Sequence, residues 1–231
     1  VKSNTNGLKG AGLVVAASLL LSGCGCTSST ITEGPLCSNN LGSPIPNFCE
    51  VTPNVLWRGS KPDKNAAVWL INKGVKTIVN LELFHDDIDT IRKINITTAD
   101  KYGIDYFWVR TWEPLYAVAQ SIADEHVIHF LAIVSQAKQP IYVHCRAGEN
   151  RTGVMVAAYK IILERQRSAA EMTAILDEMR SYQGVWSDFD TEYIKGLWFR
   201  RDDVFKKGKA YKLERPTQII CKTGKCVQVP R

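Results

Sequence analysis

The chain is 231 residues long, 45% apolar and 23% charged, a balance that excludes a disordered polar chain or a repetitive fibre and leaves room for one sizeable core. Its formal charge of +6 and pI of about 8.9 favour anionic partners such as phosphorylated molecules or acidic membrane surfaces. An excess that small is ordinary, so nucleic acid is not an expected partner.

At the start of the chain, Lys2 and Lys9 precede an apolar run from Ala11 to Leu21 that closes on Leu21-Ser22-Gly23-Cys24. A basic start, a short hydrophobic stretch and small residues describe an export signal over residues 1–23, and the run is too short for a permanent membrane span. Leu-Ser-Gly-Cys resembles the lipobox of bacterial lipoproteins. By that resemblance Cys24 becomes a lipidated N-terminus, and the protein is exported and anchored to a bacterial membrane, facing the periplasm or the cell exterior. The alternative is a buried N-terminal helix that happens to end in Cys. Residues 24–52 are rich in Ser, Thr, Asn, Gly and Pro without hydrophobic periodicity and read as a linker. An exported chain keeps disulfides. Cys221 and Cys226 flank a Gly-containing turn and form a plausible local bridge, Cys37 and Cys49 are the next pair, and Cys26 is left unpaired or competing.

From Val55 strand and helix signals alternate. Strands are expected at Val55 to Arg58, Val75 to Leu81, Asp105 to Val109 and Ile141 to His144. Helices are expected over Asn65 to Asn72, Asp87 to Tyr102 and Ala117 to Gln136. After Arg151 a helix apolar on most sides runs to about Arg165. Two more follow, at Ser168 to Arg180, where Ser168 and Glu171 have capping-box spacing, and at Asp190 to Phe205. The alternation implies a single α/β domain over 53–205, with a central, mostly parallel sheet of four to five strands flanked by helices. Residues 206–231 read as a basic, turn-rich extension.

The chemistry concentrates in "PIYVHCRAGENRTGVMVAAY", Pro140 to Tyr159. A strand, a short Gly-containing loop and a helix N-terminus let backbone N–H groups and the positive end of the helix dipole converge on an anion. Cys145 stands at the start of that loop and Arg151 where the helix begins. A thiolate is stabilised in such a place, so Cys145 is expected to be nucleophilic at neutral pH. The Arg151 fork can hold two phosphoryl oxygens, Gly148 lets the loop turn, and the Thr152 hydroxyl is placed to bond the Cys145 sulfur.

His144-Cys145-Arg146-Ala147-Gly148-Glu149-Asn150-Arg151-Thr152-Gly153 matches the H-C-x-x-G-x-x-R-[ST]-G signature and resembles the cysteine-dependent protein tyrosine and dual-specificity phosphatases. "LWRGSKP" and "GVKTIVNLE" look like the opening of the compact bacterial and atypical members, so the resemblance covers roughly Pro53 to Arg180. It implies a phosphatase-like α/β fold and attack of Cys145 on phosphorus to give a cysteinyl-phosphate. It also implies that residues 146–150 line the phosphate and that His144 orients the loop. A general acid on an earlier loop is implied as well. That acid is usually Asp, whereas here the loop reads Thr111-Trp112-Glu113-Pro114, which makes Glu113 the candidate, with a solvated turn carboxylate as the alternative reading. Asp105 is a weaker candidate.

Other residues have plainer readings. Asp86 and Asp87 look like helix caps. Asp188 and Asp190 cap a later helix or position water. Trp108 and Trp112 line a pocket mouth or pack under the acid loop. Arg146 attracts anions at the rim and Glu149 repels them. His85, His126, His129 and His144 do not combine with cysteine at ligand spacing, so no metal and no cofactor is expected. The leading function is phosphomonoester hydrolysis on phosphotyrosine or mixed phosphotyrosine, phosphoserine and phosphothreonine proteins, or on small phosphoesters. Inositol phosphates or phosphoinositides are the runner-up substrates. A rhodanese-type sulfurtransferase and a non-catalytic phospho-ligand binding module are the alternatives from other classes.

Overall fold

A computed structural model describes residues 37, 39–94, 102–182, 184, 187–222 and 224–229, the side chain of Ser187 excepted. The expected signal segment, Cys24, Cys26 and the first part of the expected linker lie outside these residues. In chain order the elements are β1 (Cys49–Thr52), β2 (Leu56–Ser60), α1 (Lys64–Asn72), β3 (Thr77–Asn80), α2 (Ile88–Arg92), β4 (Tyr102–Trp108) and α3 (Pro114–Val118). Then come α4 (Gln120–Gln136), β5 (Ile141–Cys145), α5 (Asn150–Ile162), α6 (Ala169–Ser181), α7 (Ser187–Ala210), β6 (Thr217–Lys222) and β7 (Lys225–Gln228).

The strands form one sheet in the order β1-β2-β5-β3-β4-β6-β7. Its centre, β2-β5-β3-β4, is parallel, as the alternation of strands and helices requires. The sheet has seven strands where the sequence suggested four to five, because the extra three pair antiparallel at the edges. β1, inside the stretch expected as linker, pairs with β2. The basic C-terminal stretch forms the hairpin β6-β7, and β6 lies along β4, covering an edge that would otherwise present unpaired backbone groups. Cys221 and Cys226 sit opposite each other in that hairpin and are bonded, as are Cys37 and Cys49.

Both faces of the parallel centre are covered. Leu56, Val79, Leu81, Ile141, Val143 and Cys145 face a core with α4 to α7, while Trp57, Ile78, Ile104, Tyr106 and Tyr142 face a second core with α1 and α2. The period of two along each strand makes that division. α5 is buried along nearly its whole length, from Thr152 to Ile162 apart from Lys160. Burial of each large aliphatic side chain there stabilises the fold by roughly 1.5–3 kcal/mol.

Asp63 caps α1 by accepting from the Ala66 amide at 2.8 Å, and α6 opens with the expected Ser168–Glu171 capping box. The long helix expected from Ala117 is two helices, because Ala119 (φ −144°, ψ 65°) breaks α3 from α4. Of the helix expected over Asp87 to Tyr102, the described residues form α2, Tyr102 opens β4, and residues 95–101 lie outside the described residues. The last expected helix, Asp190 to Phe205, is longer at both ends.

Candidate active site

β5 delivers Cys145 to the C-terminal end of the parallel strands, where its thiol is 3% exposed and bonded to no other cysteine. Strand alternation turns Cys145 toward the α5 side and His144 toward the other. The loop that follows turns at Gly148, whose φ of +76° lies in the left-handed region. A Cβ at that position would fall within the Gly59–Ser60 backbone, so only glycine fits. The first helical bond of α5 runs from the Gly153 amide to the Glu149 carbonyl at 2.7 Å, and Glu149 at the N-cap makes no side-chain cap. The first-turn amides of α5 are therefore open to an anion.

Arg151 reaches across this opening. Its Nη1 donates to the Leu81 carbonyl at 3.2 Å, and its Nε lies 2.7 Å from Glu113 Oε1. The carboxylate that the sequence singled out is thus in contact with the guanidinium, both side chains being largely buried. Thr152 is fully buried and its hydroxyl has no hydrogen-bond partner. The expected bond to the Cys145 sulfur is not formed, and the hydroxyl remains available to one. Arg146 and Ala147 are exposed, while Glu149 and Asn150 are half-buried. Burial pushes the Glu149 carboxyl up, against an Asn47 hydrogen bond and the Arg58 charge.

Behind the thiol, His144 Nε2 lies 2.7 Å from Asp87 Oδ2. This corrects the reading of Asp87 as a cap: it occupies the N-cap position of α2 but makes no cap hydrogen bond. Its carboxylate crosses to β5 instead. Asp86, by contrast, does accept from the Ile88 amide. Glu82, Asp87 and His144 bring potential ligand atoms within 4.8 Å of one another. A cation already faces that cluster, since Lys61 Nζ is 3.2 Å from Glu82 Oε1 and 3.7 Å from Asp87 Oδ1. Asp105 is out of the site, paired with Lys138 at 3.2 Å. Trp108 is half-buried against the second core, donating to the Glu82 carbonyl and carrying Arg110 on its face, whereas Trp112 is half exposed.

Residues 44–192 match the family described as DSP-PTPase phosphatase fused to NAD+ kinase. The chain belongs to this family. Among curated relatives of this DSP-PTPase chain are NAD kinase 2, chloroplastic, of Arabidopsis thaliana, 30% identical over 141 residues, and receptor-type tyrosine-protein phosphatase eta of Gallus gallus, 24% identical over 113 residues. The first match takes in 61% of this chain but 14% of the kinase, and the second 46% of this chain and 8% of the receptor. In fold, the chain is similar to P. aeruginosa TpbA (TM-score 0.53, 22% identity, 71% of this chain and 91% of that one). It is also similar to the core catalytic domain of the S. cerevisiae PP-IP phosphatase Siw14 (TM-score 0.54, 20% identity, 74% and 98%).

Within this DSP-PTPase fold several residues at the site escaped the sequence reading. Asp190, read as a cap, is 1% exposed; one carboxylate oxygen accepts from Asn150 Nδ2 at 2.9 Å and the other is buried with no partner. Burial pushes this carboxyl up to about 7; the Asn150 bond pulls it down, the Glu113 charge raises it and Arg151 lowers it. The available signal was an acid on the apolar stripe of α7, one turn before Ile194 and two before Leu197, both buried. Arg58 was similarly marked, as a charge on a strand whose every residue is buried. Asn47 carried no such signal.

Proposed function

We propose that this chain hydrolyses phosphomonoesters through a cysteinyl-phosphate on Cys145. The observation that carries the reading is the pairing of an unbridged thiol at the end of β5 with the open N-terminus of α5 and the Arg151 guanidinium beside it. The substrate phosphate takes the place of Glu113 as the partner of Arg151. Released from Arg151, the Glu113 carboxyl lies beside the bound phosphate, where a general acid for the leaving oxygen is needed. The thiolate attacks phosphorus, the S–P bond forms as the P–O bond to the leaving group breaks, and Glu113 gives its proton to the departing oxygen. Water then attacks the cysteinyl-phosphate, returning a proton to Glu113 and releasing inorganic phosphate, while the Thr152 hydroxyl supports the departing sulfur.

The favoured substrates are phosphotyrosine or mixed phosphotyrosine, phosphoserine and phosphothreonine proteins. The solved structures lend support to two readings, since TpbA has been crystallised in complex with pTyr and Siw14 is a PP-IP phosphatase. The exposed Arg146 and the half-buried Glu149 oppose each other in charge, so this loop carries no pair of cations that would favour the most highly charged inositol phosphates over phosphotyrosine. Hydrolysis of an aryl phosphate by the wild type and its loss in Cys145→Ser, by about 10⁴-fold or more, is the expected result. Turnover that survives the substitution removes the covalent mechanism, and thiosulfate turnover in its place favours sulfur transfer. Comparing a phosphotyrosyl peptide with an inositol pyrophosphate ranks the two substrate classes.

An exported, Cys24-anchored location completes the reading. Two disulfides support it, because such bonds persist in oxidising compartments. Membrane association lost on Cys24→Ser is the expected outcome, and unchanged fractionation would remove the anchor.

A further inference from the structure

Three consecutive carbonyls of the loop after Cys145 are held from outside by one neighbouring segment. The Arg146 carbonyl accepts from the Lys61 amide at 3.2 Å, the Ala147 carbonyl from Asn47 Nδ2 at 2.9 Å, and the Gly148 carbonyl from Arg58 Nη2 at 2.6 Å. In a trans peptide the C=O and the following N–H point to opposite sides of the chain. Holding these three carbonyls outward therefore turns the amides of Ala147, Gly148 and Glu149 the other way. Those amides join the open first turn of α5.

Two of the three donors are side chains, and both are costly to place. Asn47 takes a left-handed φ of +56°, which a non-glycine residue adopts at some expense. Arg58 is 1% exposed, and a fully buried guanidinium is unfavourable unless paired. Its charged partner, Glu178, is 4.0 Å away and also serves Lys160. The Tyr182 ring lies 3.6 Å from the guanidinium carbon. α6 and the residue that follows it thus fix the fork in place and leave one of its nitrogens aimed at the Gly148 carbonyl. The two donors are tied to each other: Cys49 pairs with Arg58 across β1 and β2, lies two residues beyond Asn47, and is bridged to Cys37.

We propose that Asn47 and Arg58 are positioning residues that preorganise the oxyanion cradle by holding the Ala147 and Gly148 carbonyls outward. The inference rests on the phosphatase reading of the loop. It predicts that losing either donor weakens oxyanion binding without a matching loss of fold. Asn47→Gly suits the left-handed backbone and deletes the side-chain donor to the Ala147 carbonyl, together with its hydrogen bond to the Glu149 carboxyl. Arg58→Lys keeps the charge and deletes the fork.

The test is calorimetric binding of tungstate to the full chain, with thermal melting of each variant alongside. Asn47→Gly is expected to weaken tungstate about fivefold, the worth of one neutral hydrogen bond, with melting unchanged. Arg58→Lys is expected to weaken it by about tenfold or more, the worth of a charged donor, and KM for an aryl phosphate should rise with it. Tungstate affinity in Asn47→Gly within twofold of wild type, at equal melting temperature, overturns the proposal, and that variant decides even if Arg58→Lys fails to fold. Wild-type protein that neither binds tungstate nor hydrolyses the ester sinks the phosphatase reading and this inference with it. Binding by wild type that the variants match sinks the inference alone.

Discussion

The two sides of the loop after Cys145 are built on opposite plans. Toward β1 and β2 the loop carbonyls are held by hydrogen bonds from Lys61, Asn47 and Arg58, and the buried Arg58 Nε is left without a partner. Toward α3 and α7 the contacts are charged and incomplete. Arg151 faces Glu113, Asp190 keeps one buried oxygen unpartnered, and the Thr152 hydroxyl has no partner at all. Buried polar atoms are costly to leave unmatched, so a site that keeps several is holding them for something that arrives. The difference assigns shape to one side and chemistry to the other.

Substitutions of Arg151 and Glu113 on the charged side should therefore cost rate, while those on the outer side cost affinity. The largest effect after the nucleophile itself falls on Arg151→Lys. A single ammonium cannot hold two phosphoryl oxygens in a plane, and kcat/KM for an aryl phosphate should drop about 10²- to 10³-fold, the scale for losing a preorganised oxyanion donor. A drop smaller than tenfold would mean that Arg151 serves the Leu81 carbonyl and Glu113 more than the substrate.

Glu113→Gln sharpens the same contrast. A leaving alkoxide needs a proton and a nitrophenolate hardly does, so the loss in kcat should be about 10²-fold on an alkyl phosphate and under about tenfold on p-nitrophenyl phosphate. Equal losses on both esters would take the acid role from Glu113 and leave it as a resting partner for Arg151.

How much of this was legible in the sequence follows the same divide between local and distant bonds. The Cys145 loop could be read because its signature sets contacts within a few residues, and α5 because its apolar positions cover the whole helix. The Cys221–Cys226 bridge was readable as a local turn. The stretch before Pro53 looked like a linker because its Asn, Gly and Ser residues make turns whose partners are remote; Asn47 reaches a carbonyl 100 residues away. Asp87 does stand where a cap stands, yet its carboxylate goes 57 residues on to His144. Asp190 bonds 40 residues back to Asn150. Position along the chain told where such a side chain starts, and only the packed sheet told where it ends.

Asp190 gives the smallest effect on rate and the clearest effect on stability. Its carboxyl, raised from 3.8 to about 7 chiefly by burial, holds in the folded protein a proton that the unfolded chain releases near pH 4. Between those two values the folded state binds more protons than the unfolded one, so this group makes stability fall as pH rises, and the penalty is complete above about pH 7. The groups facing it are Asn150 and Arg151 of α5, Glu113 at the start of α3, and Tyr116 of α3, whose hydroxyl is pushed well up by burial and then by the charge of Asp190. Asp190→Asn keeps the shape and an oxygen for Asn150 but never ionises. Its melting temperature should match wild type near pH 4, climb above it through pH 4–7 and hold a constant lead beyond. That lead corresponds to at most about 4 kcal/mol, or on the order of 10 °C in a domain of this size. A difference between the two proteins that stays flat with pH would mean the carboxyl is ionised in the fold throughout. The incomplete side of the site would then owe its unmatched oxygen to solvent, and not to a proton kept in the interior.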